Sequence, residues 1–166
     1  MTQEVTIANK WYQENGMIVN PDKHQAMIIG NTEHTFSFPL RESIDLFGVT
    51  LDNELNFNAH ICRLCKKINN QCNVIIRNRK LISSEVLLKL YKAFIYPHFQ
   101  YCGSVWHFCG SRNAEKLETL NKRVLRVIFK DYTSTYTELV SKAGTTTLMD
   151  QRVRNMLISV FKSINY

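Results

Sequence analysis

The strongest constraint on this chain is an unbroken apolar spacing of 3, 4 and 7 through Ile61, Leu64, Cys65, Ile68, Cys72, Ile75 and Ile76. At about 100° per residue, all of these side chains fall within about 60° of one direction. The spacing predicts a long amphipathic helix that must bury one stripe against a neighbour. Arg63, Lys66, Lys67, Asn70 and Arg77 project to the opposite side, and Arg77-Asn78-Arg79-Lys80 makes a basic exit.

The rest of the C-terminal part reads as further helices. Ser83 or Ser84 suits an N-cap, with Glu85 in the first turn of the next helix. Leu87, Leu90, Tyr91 and Phe94 give that helix its stripe, and Pro97 is expected to kink or end it. The segment 98–109 reads as an aromatic-rich helix stopped by Gly110, in which Trp106 and its neighbours read as core in preference to the alternative of a base-stacking platform. Asn113 to Phe129 is another helix, with Leu117, Leu120, Val124, Val127 and Ile128 on its core face. A last helix, about 150–164, is expected to bury Val153, Leu157, Val160, Phe161 and Ile164.

Before Asn56 the pattern is mixed. Residues 3–14 read as a helix closed by Asn15-Gly16. Met17–Asn20 and Gln25–Ile29 read as short strands around the turn Pro21-Asp22-Lys23. Thr35–Phe38 alternates like a strand. Ser43–Leu51 reads as another, with Gly48 as a bulge or a point of close approach. The expected fold class is α+β: a small N-terminal helix and antiparallel hairpin over residues 1–55, then a basic all-α bundle over 56–166.

Charge is segregated along the chain. Residues 1–59 carry three basic and eight acidic side chains, whereas His60 to Lys130 carries fourteen Lys and Arg against three Glu. The overall net charge of +7 conceals this division. A concentrated cationic block is the electrostatic footprint of a polyanion binder. The competing reading is a solvated helix face. Hydrophobic content of 45% is enough to bury a core and excludes a disordered chain. No stretch reaches the roughly 18 apolar residues of a membrane helix, so no membrane partner is expected. The N-terminus lacks a signal-peptide pattern, which argues for an intracellular chain with nucleus and cytoplasm both open.

Five cysteines in such a chain predict free thiols. Cys62 points away from the stripe that holds Cys65 and Cys72, and no paired zinc spacing occurs, so no metal site is expected. There is no Gly-rich phosphate loop, no Gly-x-Ser-x-Gly and no His-Glu-x-x-His, and no small-molecule cofactor is expected.

Several segments resemble the C-terminal part of reverse transcriptases from non-LTR (LINE-type) retrotransposons. They are Trp11-Tyr12 with Asn15 to Met27, Leu46-Phe47-Gly48-Val49-x-Leu51-Asp52, Leu55 to Ile61 with Lys66-Lys67, Tyr91 to Cys102 with Trp106, Leu117 to Arg126, and Tyr136-x-Glu138-Leu139. Two positions depart from the family's pattern: His24 stands where Thr is common, and Leu46-Phe47 reverses the usual Phe-Leu. The resemblance implies a palm remnant over 1–55 and a thumb-like domain over 56–166, contacting an RNA or DNA template–primer.

The resemblance also implies roles for particular residues. Lys23 matches the lysine that stabilises departing pyrophosphate in an intact enzyme, where an ammonium offsets developing negative charge. Gly48 falls in the strand turn that grips the primer end. Arg63, Lys66, Lys67, Arg77, Arg79, Lys80, Arg123 and Arg126 are candidate phosphate contacts. The family's RNA-directed DNA polymerase activity needs carboxylates that hold paired Mg²⁺ ions. No Asp-Asp pair occurs in this sequence, so the chain alone is expected to be inactive and to hold no Mg²⁺. A non-enzymatic nucleic-acid-binding module and a helical interaction domain are the alternatives.

Overall fold

The computed structural model describes residues 2–20, 25–30 and 40–165. The chain is mostly helical with one small antiparallel sheet. Helix α1, Thr2–Glu14, ends as expected, with Gly16 at φ +69° and the Met17 N–H bonded back to the Tyr12 carbonyl at 2.8 Å. The turn Pro21-Asp22-Lys23 and the alternating segment Thr35–Phe38 lie outside the described residues.

The hairpin lies further along the chain than the pattern predicts. Met17–Asn20 and the stretch from Gln25 to Ile29 form no paired strands, and the latter contributes only an isolated bridge between Ala26 and Leu40. Instead β1 (Ser43–Leu46) pairs antiparallel with β2 (Val49–Asp52), in a register that sets Leu46 opposite Val49. What reads as one strand with a bulge is therefore two strands joined by Phe47-Gly48. Both turn residues have positive φ, +48° and +79°, as a type I′ connection requires.

Asp52 links the hairpin to the first long helix. Its carboxylate accepts from the backbone N–H groups of Glu54, Asn56 and Phe57, at 3.2, 3.0 and 2.8 Å. This fixes Phe57 in a left-handed conformation from which α2, Asn58–Asn78, departs. Five of its predicted stripe residues (Ile61, Leu64, Ile68, Cys72 and Ile75) are buried, and Cys65 and Ile76 pack at the edge of the same cluster. Val49 of β2 and Phe57 join that core.

Helix α3, Ser84–Leu90, begins at Ser83, whose hydroxyl accepts from the Val86 N–H. It runs through a π-helical turn, Tyr91–Ile95, into α4, Tyr96–Gln100. Pro97 does not end the helix: it sits in the first turn of α4, where a missing N–H costs least. Leu87 and Tyr91 of the expected stripe are buried, but within the wider π turn the inward position moves from Phe94, which is exposed, to Ile95, which is buried.

The expected helix over 98–109 stops at Gln100. Tyr101 is extended and Cys102 takes φ +51°, and the chain continues in turns. Trp106 is buried, and its indole N–H donates to the Tyr101 carbonyl at 2.9 Å. Gly110 begins the next helix rather than ending one: it is the N-cap of α5, Ser111–Phe129, whose predicted core face is buried throughout. Helix α6, Tyr136–Lys142, opens on a capping box made by Thr135 and Glu138.

Helix α7, Leu148–Asn165, contradicts its expected burial. Leu148 and Arg152 are buried, but Val153, Leu157, Val160, Phe161 and Ile164 are exposed. The helix docks through its first turns only, and its apolar stripe faces outward.

Candidate nucleic-acid interface

Beside the hairpin, α2 and the α4 end enclose an open groove of about 620 Å³. It brings together three of the sequence-predicted residues, Gly48, Arg63 and Lys67. Phe47, His98 and Tyr101 complete the wall that matters chemically.

The hairpin turn is held from two directions. The Tyr101 hydroxyl, at the C-terminal end of α4, donates to the Phe47 carbonyl at 2.7 Å. Arg63, on α2, reaches the Gly48 carbonyl at 3.3 Å. The same guanidinium grips Asp45 of β1 in a two-pronged pair at 2.8 and 3.0 Å. Arg63 therefore positions the hairpin, and much of its charge is offset within the protein. Its partner guanidinium holds the Asp45 carboxyl below the usual carboxylate range, helped by the Thr50 hydroxyl.

His60 ties the second strand to α2. Its Nδ1 accepts from the Thr50 N–H at 3.3 Å, which requires an unprotonated nitrogen there. Burial, then the nearby Arg63 charge, push its pKa down. His98 faces the groove beside Lys67, and burial together with the Lys67 charge lowers its pKa too. Gln71 lies 3.0 Å from His98 Nε2 through its amide nitrogen.

The remaining predicted cations are dispersed. Lys66 and Arg77 are exposed on the same helix face as Arg63 and Lys67. Arg79 caps the end of α2 and Lys80 comes directly after it. Arg123 is exposed on α5, close enough for its charge to act on the Cys72 thiol. Arg126 is half-buried, with Nε enclosed and without a hydrogen-bond partner among the described residues. Lys23 lies outside the described residues.

The cysteines are free thiols. Burial pushes Cys72 up to about 11 and raises Cys65 and Cys109, which disfavours the thiolate a metal needs. Among the described residues no group of three or more His, Cys, Asp or Glu could hold a metal ion. With no Asp-Asp pair in the sequence, the residues present do not fit the paired-Mg²⁺ centre that the family resemblance implies. Among the described residues no helix is long and apolar enough to cross a membrane.

Sequence reasoning missed Phe47, Asp45, His60 and His98 as parts of this site. The signal for Phe47 was its place before Gly48 between two apolar runs, the pattern of a two-residue hairpin connection. No local signal marks the Asp45–Arg63 pair, which spans eighteen residues. Comparison with protein-family models, curated proteins and solved structures finds no match.

Proposed function

We propose that the chain binds nucleic acid along the groove and the exposed face of α2, as the end-of-palm and thumb portion of a retrotransposon reverse transcriptase would hold template–primer. One observation carries this reading: a glycine turn, a histidine and Lys67, which has no ion-pair partner among the described residues, converge on one groove, and Lys66 and Arg77 are exposed on the same face of α2. Among the described residues the only carboxylate lining the groove, Asp45, is paired with Arg63. The groove is thus open to phosphate without an opposing free acid from those residues.

In this reading Lys67 and Lys66 contact phosphates, Gly48 lets backbone approach the strand, and Arg63 keeps the turn in place. Polymerisation would require carboxylates that this sequence does not pair, so primer extension with Mg²⁺ is expected to be undetectable.

The test is a titration of a labelled primer–template at about 50 and about 200 mM salt. Three or four phosphate contacts predict a loss of affinity of about 40- to 150-fold between those conditions. Lys67→Glu should weaken binding to every sequence and flatten the salt slope by about 1 or more. Absence of binding at the lower salt would overturn the reading.

A further inference from the structure

Phe47 is hard to explain as a turn residue or as a core residue. The first central position of a type I′ connection favours Asn, Asp or Gly, because a bulky side chain at positive φ is strained. Phe47 holds φ +48° there. Its ring contributes little to the core, since the residue is 81% exposed. Yet the backbone beneath it is clamped, through its own carbonyl by Tyr101 and through the next by Arg63. The protein thus holds a large aromatic ring in an unfavourable conformation, outside its own core, on the rim of a groove.

The surroundings indicate what the ring meets. Tyr101, itself 53% exposed, lines the same groove, with Lys67 and His98 alongside. Aromatic faces interleaved with cations are the composition that binds single strands, where bases stack on rings and phosphates lie against lysines. A continuous duplex hides its base faces within its own stack and offers the ring nothing. An apolar protein partner would cover Phe47 as well, but it would leave Lys67 and His98 facing a surface with no use for them.

We infer that Phe47 is a base-stacking residue, which makes the groove selective for unpaired bases over closed duplex. This rests on the nucleic-acid reading above and adds the class of strand preferred.

The experiment compares a short single-stranded oligonucleotide carrying 2-aminopurine with a DNA dumbbell closed at both ends by non-nucleoside glycol linkers, which has neither free ends nor unpaired bases. Wild-type protein should quench the 2-aminopurine on binding and prefer the single strand. Phe47→Ala should lose about 5- to 100-fold in single-strand affinity, the range for one stacked base, and lose the quench. Dumbbell affinity should stay within about twofold, because phosphate contacts persist. Phe47→Asn controls for folding: Asn accepts this turn geometry, so its Tm should equal or exceed that of wild type while its single-strand affinity falls as far. Single-strand affinity and quenching that survive in both variants would overturn the role of Phe47 and leave the groove reading standing. An equal loss on both ligands would also overturn stacking. Failure of the wild-type protein to bind either ligand would overturn the groove reading and this inference with it.

Discussion

Arg152 is buried within α7, and its guanidinium carbon lies 5.2 Å from the centre of the Trp106 ring. Its Nε and Nη1 are enclosed without hydrogen-bond partners among the described residues, and Nη2 reaches only the Met149 sulfur at 3.6 Å. The side chain also fills space against Gly103, where an added Cβ would sit 3.3 Å from Arg152 Cγ. Arg152 thus joins α7 to the Trp106 turn by packing and cation–π contact, with a desolvated charge opposing that gain.

This makes the two halves of the Arg152 side chain separable. Arg152→Met keeps the stem and removes the buried charge, so stability should be unchanged or higher. Arg152→Ala leaves a cavity beside Trp106 and should cost about 2–4 kcal/mol. Urea unfolding of both variants checks this. Equal destabilisation by both would mean that the charge has a partner of real value.

A chain of side-chain hydrogen bonds, buried at its Tyr91–Asn121 end, joins four helical segments. The Tyr91 hydroxyl donates to Asn121 Oδ1 at 2.6 Å, and Asn121 Nδ2 donates to the Tyr136 oxygen at 2.9 Å. Tyr136 in turn donates to Glu118, whose carboxylate accepts the first N–H groups of α7. Burial is the main cause that raises the pKa of both tyrosines, so they act as donors. Asn121→Ala should cost about 2–4 kcal/mol, since it orphans a buried hydroxyl and creates a void. Tyr136→Phe removes one donor and should cost less. A cycle with Tyr91→Phe should show coupling of about 0.5–3 kcal/mol, and strict additivity would deny a connected network.

How far the sequence foretold the structure depends on whether a stripe had a neighbour. The α2 and α5 faces were legible because both stripes meet the common core. The α7 stripe has the same kind of spacing and lies exposed: periodicity says that a face is apolar, and says nothing about what covers it. Phe94 was misplaced because a π turn inserts an extra residue that a fixed 100° step cannot track. The hairpin was missed because Phe is an unusual partner for Gly48 in a two-residue turn. At the site, each cation was visible as a charge, but the tether of Arg63 to Asp45 was not, because it depends on how the hairpin folds back onto α2.

Through the two groove histidines, acid should act on stability and on binding in opposite directions. Both have pKa values lowered in the folded chain, mainly by burial. The unfolded chain therefore takes up protons first, and stability should fall as pH drops below about 6.5. His60 contributes by losing the acceptor that holds Thr50. Protonated His98, however, adds a cation beside Lys67, and rotation of the Gln71 amide would let its buried Oε1, which has no partner among the described residues, accept from the ring. Polyanion affinity should rise over the same interval. His98→Gln should flatten the pH dependence of affinity and His60→Gln should not. Indifference to His98→Gln would place phosphate away from this wall.

Whether Arg63 is a tether or a phosphate contact can be decided by removing its partner. The pair is exposed, with side chains 51% and 55% accessible, so its contribution to stability should be under about 1 kcal/mol despite good geometry. The Asp45 pKa is depressed by Arg63, so this contribution is present above about pH 4 and is lost as pH falls through the lower folded value. Asp45→Asn leaves the fold nearly as stable and releases a full positive charge into the groove. If phosphate lies within reach, affinity for single-stranded nucleic acid should rise severalfold at low salt, and the salt slope should steepen by about 1. Arg63→Gln should do the reverse only modestly in wild type, where the charge is already offset. If Asp45→Asn instead weakens binding, the pair acts by holding Phe47-Gly48 in place, and hairpin position matters to the ligand more than the released charge does.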